Sequence, residues 1–217
     1  IYNQSGLVNQ TAVNLGGVAN SLVGVVVTLV DGVYNWFYSF FDIAGNLFTT
    51  DNRTITIDTV VPNIQFVPPS EIGGATIAVR NILVNITASD DNLANITIEL
   101  YNSTGLVNKT SAVLTKLFLN FTNLGDGIYY FNATATDLAN NKNITETRNA
   151  TIDATAPQLT INSPVNNSWL NTKLISVNLT VSDAVSGLNY TNISIYNSSG
   201  GIVNSTTSTG SGNYIVI

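Results

Sequence analysis

Ile82-Leu83-Val84-Asn85-Ile86-Thr87-Ala88-Ser89 sets Ile82, Val84, Ile86 and Ala88 on one side of an extended chain and Leu83, Asn85, Thr87 and Ser89 on the other. A period of two with one apolar side predicts a β-strand whose one face is core and whose other face is wet. The pattern returns where Ile175, Val177, Leu179 and Val181 alternate with Ser176, Asn178, Thr180 and Ser182. Further strands are predicted near Ile64 to Val67, Asn95 to Tyr101, Leu114 to Thr122, Ile128 to Thr136 and Asn143 to Ile152. No window of comparable length has a helical period, so the predicted class is all-β.

Working outward from these strands, the chain repeats itself. Tyr-Asn-Gln-Ser-Gly-Leu-Val-Asn-Gln-Thr at Tyr2 to Thr11 recurs as Tyr-Asn-Ser-Thr-Gly-Leu-Val-Asn-Lys-Thr at Tyr101 to Thr110, and again around Tyr196. Asp31-Gly32-Val33-Tyr34 matches Asp126-Gly127-Ile128-Tyr129 at an offset of 95, which also pairs Asp42 with Asp137, Asp58 with Asp153 and Pro62 with Pro157. Such a period is too long for a helical solenoid and suits one sandwich domain of about 100 residues. The phase divides the chain into the second half of a domain at 1–58, a complete domain at 59–153 and the first half of another at 154–217. Proline in Asp58-Thr59-Val60-Val61-Pro62 and Asp153-Ala154-Thr155-Ala156-Pro157 marks the linkers, because it cannot donate to a ladder. Two readings of the halves follow: an excerpt of a longer repeat protein, or a subunit whose 154–217 is completed by 1–58 of the next copy.

Composition narrows the function classes. Seven basic and 13 acidic residues give a net charge of −6 with no basic run, which argues against nucleic acid as a partner. There is no His and no Cys, so the commonest general base and the thiolate ligands are missing; with no nucleophile elbow either, the chain reads as a non-enzyme. Leu22 to Phe41 is apolar enough to raise the question of a membrane span, but Asp31-Gly32 interrupts it and each half is β-branched or aromatic, so it reads as two core strands.

Asp126-Gly127-Ile128-Tyr129-Tyr130-Phe131-Asn132-Ala133-Thr134-Ala135-Thr136-Asp137-Leu138-Ala139-Asn140-Asn141, running on to Thr151-Ile152-Asp153-Ala154-Thr155-Ala156-Pro157, resembles the Ig-like repeats of giant bacterial and archaeal surface proteins, and Asp42-Ile43-Ala44-Gly45-Asn46 fits the same pattern. The resemblance covers essentially the whole chain and implies tandem immunoglobulin-like Greek-key β-sandwiches in stalks, adhesins or surface layers. Tyr34 and Tyr129 stand where such a sandwich has its tyrosine corner.

Asn-x-Ser/Thr sequons are the densest chemical signal: Asn3, Asn9, Asn52, Asn85, Asn95, Asn102, Asn108, Asn120, Asn132, Asn143, Asn149, Asn166, Asn178, Asn189, Asn192, Asn197 and Asn204. Asn- and Thr-rich strands generate sequons by chance, but Asn85, Asn132 and Asn178 fall on predicted outward positions, and glycans would keep wet a surface with only 9% charged residues. The density points to an archaeal glycoprotein. No sequon lies between Asn9 and Asn52; Phe37 and Phe41 there replace Asn132 and Thr136, and an outward face carrying them is a candidate lateral self-contact, unless a register shift turns them inward.

Acidic residues gather in linkers and loops. An Ig-like topology would bring Asp58, Asp90, Asp91 and Asp137 together with Asn141 nearby, a hard-oxygen set suited to Ca²⁺, although loop Asp more often serves turns. The equivalent joint would use Asp153, Asp183 and Asp42 of the adjoining half. No other cofactor is expected. The reading is a structural subunit or repeat segment of an extracellular, N-glycosylated cell-surface filament or layer, partnered head to tail by itself, with no direct membrane span. The alternative is the stalk of a large adhesin.

Overall fold

The computed structural model describes residues 1–209 and the backbone of 214–216; residues 210–213 and 217, the end of the expected third segment, lie outside the described residues. The strands of the first segment are β1 (Tyr2–Asn3), β2 (Gly6–Leu7), β3 (Gly32–Trp36), β4 (Ser39–Phe41), β5 (Leu47–Thr49) and β6 (Arg53–Ile57). The central segment holds β7 (Asn63–Phe66), β8 (Ala75–Ile77), β9 (Asn81–Ser89), β10 (Leu93–Asn102), β11 (Gly105–Ala112), β12 (Lys116–Thr122), β13 (Gly127–Asp137), β14 (Lys142–Ile144) and β15 (Arg148–Ile152). The last holds β16 (Gln158–Ser163), β17 (Ile175–Ser182), β18 (Thr191–Tyr196), β19 (Ile202–Ser208) and β20 (Tyr214–Val216). The protein is all-β and immunoglobulin-like.

Two sheets face each other in the central segment, ordered β11-β10-β13-β15-β8 and β12-β9-β7. The alternation expected of β9 is met, with Ile82, Val84, Ile86 and Ala88 all buried. They join Ile96, Ile98 and Leu100 of β10 and Phe131, Ala133 and Ala135 of β13 in one apolar cluster. Phe66 meets Phe131 edge-on, with centroids 5.8 Å apart and planes at 87°, which joins the two sheets by an aromatic pair of favourable geometry. β8 runs parallel to β15, whereas the other ladders of this unit are antiparallel.

Both corner tyrosines are in place. The Tyr129 hydroxyl donates to the Gly125 carbonyl at 3.1 Å and the Tyr34 hydroxyl to the Val30 carbonyl at 2.9 Å, each four residues upstream. Each ring is buried, so removing the hydroxyl leaves a carbonyl to fend for itself. Tyr129→Phe is expected to lower unfolding stability by about 1 kcal/mol, read from the shift of the urea midpoint at unchanged slope.

The flanking segments keep the register of the central one. Gly32 pairs with Ile57 as Gly127 pairs with Ile152, and Ser39 pairs with Thr49 as Thr134 pairs with Ile144. Likewise Leu159 pairs with Val181 as Ile64 pairs with Ala88. What differs is cover. Ile64 is 9% exposed while its counterpart Leu159 is 55% exposed, and Ala133 is fully buried while its counterpart Tyr38 is 38% exposed.

Two expectations are corrected. The apolar stretch Leu22 to Phe41, expected to give one core strand on each side of Asp31-Gly32, forms strands only after that break, as β3 and the exposed β4; 22–31 holds no strand, and Leu22 and Val26 are fully exposed. Ser21 to Val27 corresponds to β12, whose ladder partner is β9, and the first segment has no strand in that place. A strand with neither ladder nor core has nothing to fix it. Asn143 to Ile152 was read as one strand but breaks into β14 and β15, because the buried Thr145 hydroxyl takes the Ala133 N–H at 3.0 Å and donates to the Glu146 carbonyl at 2.9 Å.

Candidate functional site

At one end of the central sandwich the linker into the unit meets two loops. Asp58, Asp90 and the buried Asp137 each bring one carboxylate oxygen into a cluster in which the three oxygens lie within 4.8 Å of one another. Asp137 ends β13, and the turn after it returns through Asn140 at φ 70°, a left-handed position that asparagine tolerates and that Gly45 fills in the first segment. That turn lets Asn141 donate its backbone N–H and side-chain amide to the two Asp137 oxygens, each at 2.8 Å. The same amide also donates to the Asp58 carbonyl at 2.9 Å, so it ties the linker to the turn.

Asn92, which the sequence reading overlooked, closes the other side. Its amide donates to Asp58 Oδ2 at 2.7 Å and its backbone N–H to Asp90 Oδ1 at 2.8 Å. Asp91 is a correction: adjacent residues in the loop point opposite ways, and Asp91 is exposed and outside the cluster. The three ion pairs of the described residues, Arg80–Asp126, Lys109–Glu99 and Arg148–Glu146, place no cation here. Three carboxylates crowded without a paired counter-charge repel one another, and their oxygen donor chemistry fits a hard divalent cation.

The second joint is only partly assembled. Asp153 accepts the Ser186 N–H at 3.0 Å, and Asp183 accepts those of Val185 and Gly187. Asp42 remains in its own turn, where Asn46 gives it the two hydrogen bonds that Asn141 gives Asp137.

A second set of clamps holds the linkers. Asp126 accepts from the Thr155 hydroxyl and the Ala154 N–H, and Asp31 accepts from the Thr59 hydroxyl and N–H. The Thr155 hydroxyl is the main reason that the Asp126 carboxyl lies below its ordinary range; the Ser186 hydroxyl does the same for Asp153 and the Asn46 amide for Asp42. A carboxyl whose pKa falls on folding stabilises the folded state above its unfolded pKa, and that support is lost as pH drops through the lowered folded value. Acidification below the ordinary carboxylate range is therefore expected to speed amide exchange at Ala154 before the buried amides of β9 and β13 respond, as hydrogen-exchange mass spectrometry would resolve.

Phe37 and Phe41 are both at the surface, but Phe37 is not bare. Its ring stacks on Tyr2 with centroids 5.7 Å apart and planes at 6°. On the opposite face Trp36, Tyr38 and Phe40 form a ladder of ring contacts at 5.6 and 5.9 Å.

The sequons fall into distinct environments. Asn85 and Asn132 are outward of the core, as expected, but only half exposed: the Asn85 amide donates to the Pro68 carbonyl at 2.8 Å and the Asn132 amide to the Thr147 hydroxyl at 3.1 Å. Asn178 is likewise half exposed, its oxygen accepting from the Asn162 amide at 3.1 Å. Asn3, Asn108 and Asn197 are exposed. Among the described residues no helix is long and apolar enough to cross a membrane.

No protein-family model and no curated protein matches the chain. Among solved structures it is similar to an engineered protein, at 17% identity over 46% of this chain and a TM-score of 0.35; the chain spans only 22% of that protein's length. It is similar to the fibronectin(III)-like modules of Clostridium thermocellum CbhA, at 16% identity over 43% of this chain and 99% of the module, with a TM-score of 0.35. It is also similar to dimeric latent PorU from Porphyromonas gingivalis, at 15% identity over 58% of this chain and 13% of that one, with a TM-score of 0.31.

Proposed function

We propose that this chain is a structural repeat segment of an extracellular, N-glycosylated filament or layer at a cell surface, with no enzymatic activity, in which each unfinished sandwich is closed by strands of a neighbour. The observation that carries this reading is the flanking segments, which keep the central register yet leave core-equivalent side chains such as Tyr38 and Leu159 uncovered. An open sheet with an apolar face is unstable alone and seeks a partner. The last segment has counterparts of β7, β9, β10 and β11 but none of β13 and β15 among the described residues; the first segment offers those as β3, β4 and β6. Electron microscopy of material from the producing cells tests it. Continuous fibres or sheets with one sandwich per repeat support the reading, and isolated rods with a distal head would replace it with an adhesin stalk. Phe37 and Phe41, in the sequon-free stretch, are the proposed lateral contact between such fibres.

The acidic site fits the same role, because a cation bridging Asp58 to Asp90 and Asp137 would fix the linker against the sandwich. A ligand bound only by the folded state at a hundredfold excess over its Kd stabilises by about 2.7 kcal/mol. Calcium is therefore expected to raise the melting temperature of the central unit by on the order of 10 °C, and EDTA to reverse it. Melting curves that superpose with and without calcium would remove the ion from this proposal.

A further inference from the structure

We propose that the occupied N-glycans of this chain concentrate on one hairpin edge repeated in all three segments, where they close that sheet edge to other strands. The inference rests on the reading of the chain as a glycoprotein and adds where the glycans sit and what they do. Each hairpin is bracketed by two sequons: Asn3 and Asn9 around β1–β2, Asn102 and Asn108 in β10–β11, Asn197 and Asn204 in β18–β19.

In each case the second strand of the hairpin is the outermost of its sheet, β2, β11 or β19. Each outer strand, with Val8 just past the end of β2, shows solvent two consecutive apolar residues between its sequons: Leu7 and Val8, Leu106 and Val107, Ile202 and Val203. An exposed apolar edge invites a further strand, and proteins usually blunt it with charge or proline. β2 and β19 carry neither, and the one charge on β11, Lys109, is spent on Glu99 across the ladder at 2.7 Å.

At five of the six hairpin sequons the third residue of the sequon binds the asparagine's own oxygen, and three of the other sequons, Asn85, Asn132 and Asn143, instead commit their amide nitrogen elsewhere. Thr104 donates its N–H and hydroxyl to Asn102 Oδ1, the Thr11 hydroxyl donates to Asn9 Oδ1, and the Thr110 hydroxyl to Asn108 Oδ1. Ser5 and Ser199 treat Asn3 and Asn197 likewise. The sequon's own third residue thus occupies the oxygen, and among the described residues the Nδ2 of these five keeps no hydrogen bond. By contrast the Asn143 amide donates to the Pro62 carbonyl at 2.9 Å, and Asn85 and Asn132 are committed as described above. Glycosylation makes the Nδ2–C1 bond to a glycosyl phosphate donor as the C1–oxygen bond breaks; the phosphate leaves with the electron pair and one amide proton passes to a base of the transferase. At Asn143 and Asn85 that bond must form on a nitrogen held against the protein.

The groove between the two sheets at this edge supports the role. It has a volume of about 270 Å³ and is lined by Leu100, Val107, Phe121 and Leu124 together with two sequons, Asn108 and Asn120. A glycan on either would lie over that opening.

Site-resolved glycopeptide mass spectrometry of protein from the producing cells tests the distribution. Occupancy at Asn3, Asn102, Asn108 and Asn197 with loss of it at Asn85, Asn132 and Asn143 is expected. Glycans shared evenly, or absent from the hairpins, overturn the inference and leave the glycoprotein reading standing, whereas a chain bare at every sequon overturns both. Thr104→Ala with Thr110→Ala removes two sequons and keeps both asparagines. That variant is expected to lose soluble material to strand-mediated aggregates, seen as light scattering and thioflavin binding; unchanged solubility with the glycans gone overturns the edge role.

Discussion

Phe131→Ala is expected to destabilise the central unit by about 3–5 kcal/mol, enough to consume much of the roughly 5–15 kcal/mol that holds a domain of this size. Phe131 is fully buried, sits mid-strand opposite Leu100 on one side and Arg148 on the other, and meets Phe66 edge-on. Truncation opens a cavity that two hydrogen-bonded sheets cannot collapse into, and frees the Phe66 ring on which the Arg148 guanidinium rests at 4.0 Å. Both tryptophans, Trp36 and Trp169, lie outside the central segment, so indole fluorescence would not follow this transition. Hydrogen exchange in β9, β10 and β13 would. Phe37→Ala, a deletion of equal size at the surface, is expected to stay within about 0.5 kcal/mol; equal losses at both positions would show that the core is not where the burial places it.

Ile161→Asp combined with Leu159→Asp is expected to abolish closure of the last segment by its neighbour, and with it fibre growth, without moving the melting transition of the central unit. Both residues occupy the places of Phe66 and Ile64, which pack against the core, yet both are more than half exposed. Covering each would contribute about 1.5–3 kcal/mol, while burying an unpaired carboxylate in its place costs more than that. The sizes also fit: where the central unit sets Phe66 against Phe131, the last segment offers the smaller Ile161 and the first segment the larger Trp36. Exchange protection of β16 and β17 in assembled material, measured beside electron microscopy, checks this. Fibres of normal length built from the double variant would rule the docking out.

How far the residues announced all this depends on which faces they bury. β9 was legible because Ile82, Val84, Ile86 and Ala88 are core and their neighbours are wet, and the corner at Tyr129 because Asp-Gly precedes it. β11 was not, since nearly all of Gly105–Ala112 faces solvent on both sides and a strand without a buried face leaves no period to read. β8 is too short for any pattern and is held by β15, far away in sequence. The linker site was half legible: loop topology brings Asp58, Asp90 and Asp137 together, but which of Asp90 and Asp91 turns inward depends on the turn, and Asn92, a neutral residue in a polar loop, gives no sign that it bonds Asp58.

The parallel pairing of β8 with β15 has a mechanical consequence. These two strands lie near opposite ends of the central unit's sequence, so tension applied along a string of such units pulls them in opposing directions. The backbone bonds joining Ala75, Thr76 and Ile77 to Ala150, Thr151 and Ile152 then face shear and must rupture together, whereas an antiparallel hairpin would peel open one rung at a time. A fold wired this way is expected to resist a sudden tug better than one whose terminal strands peel apart.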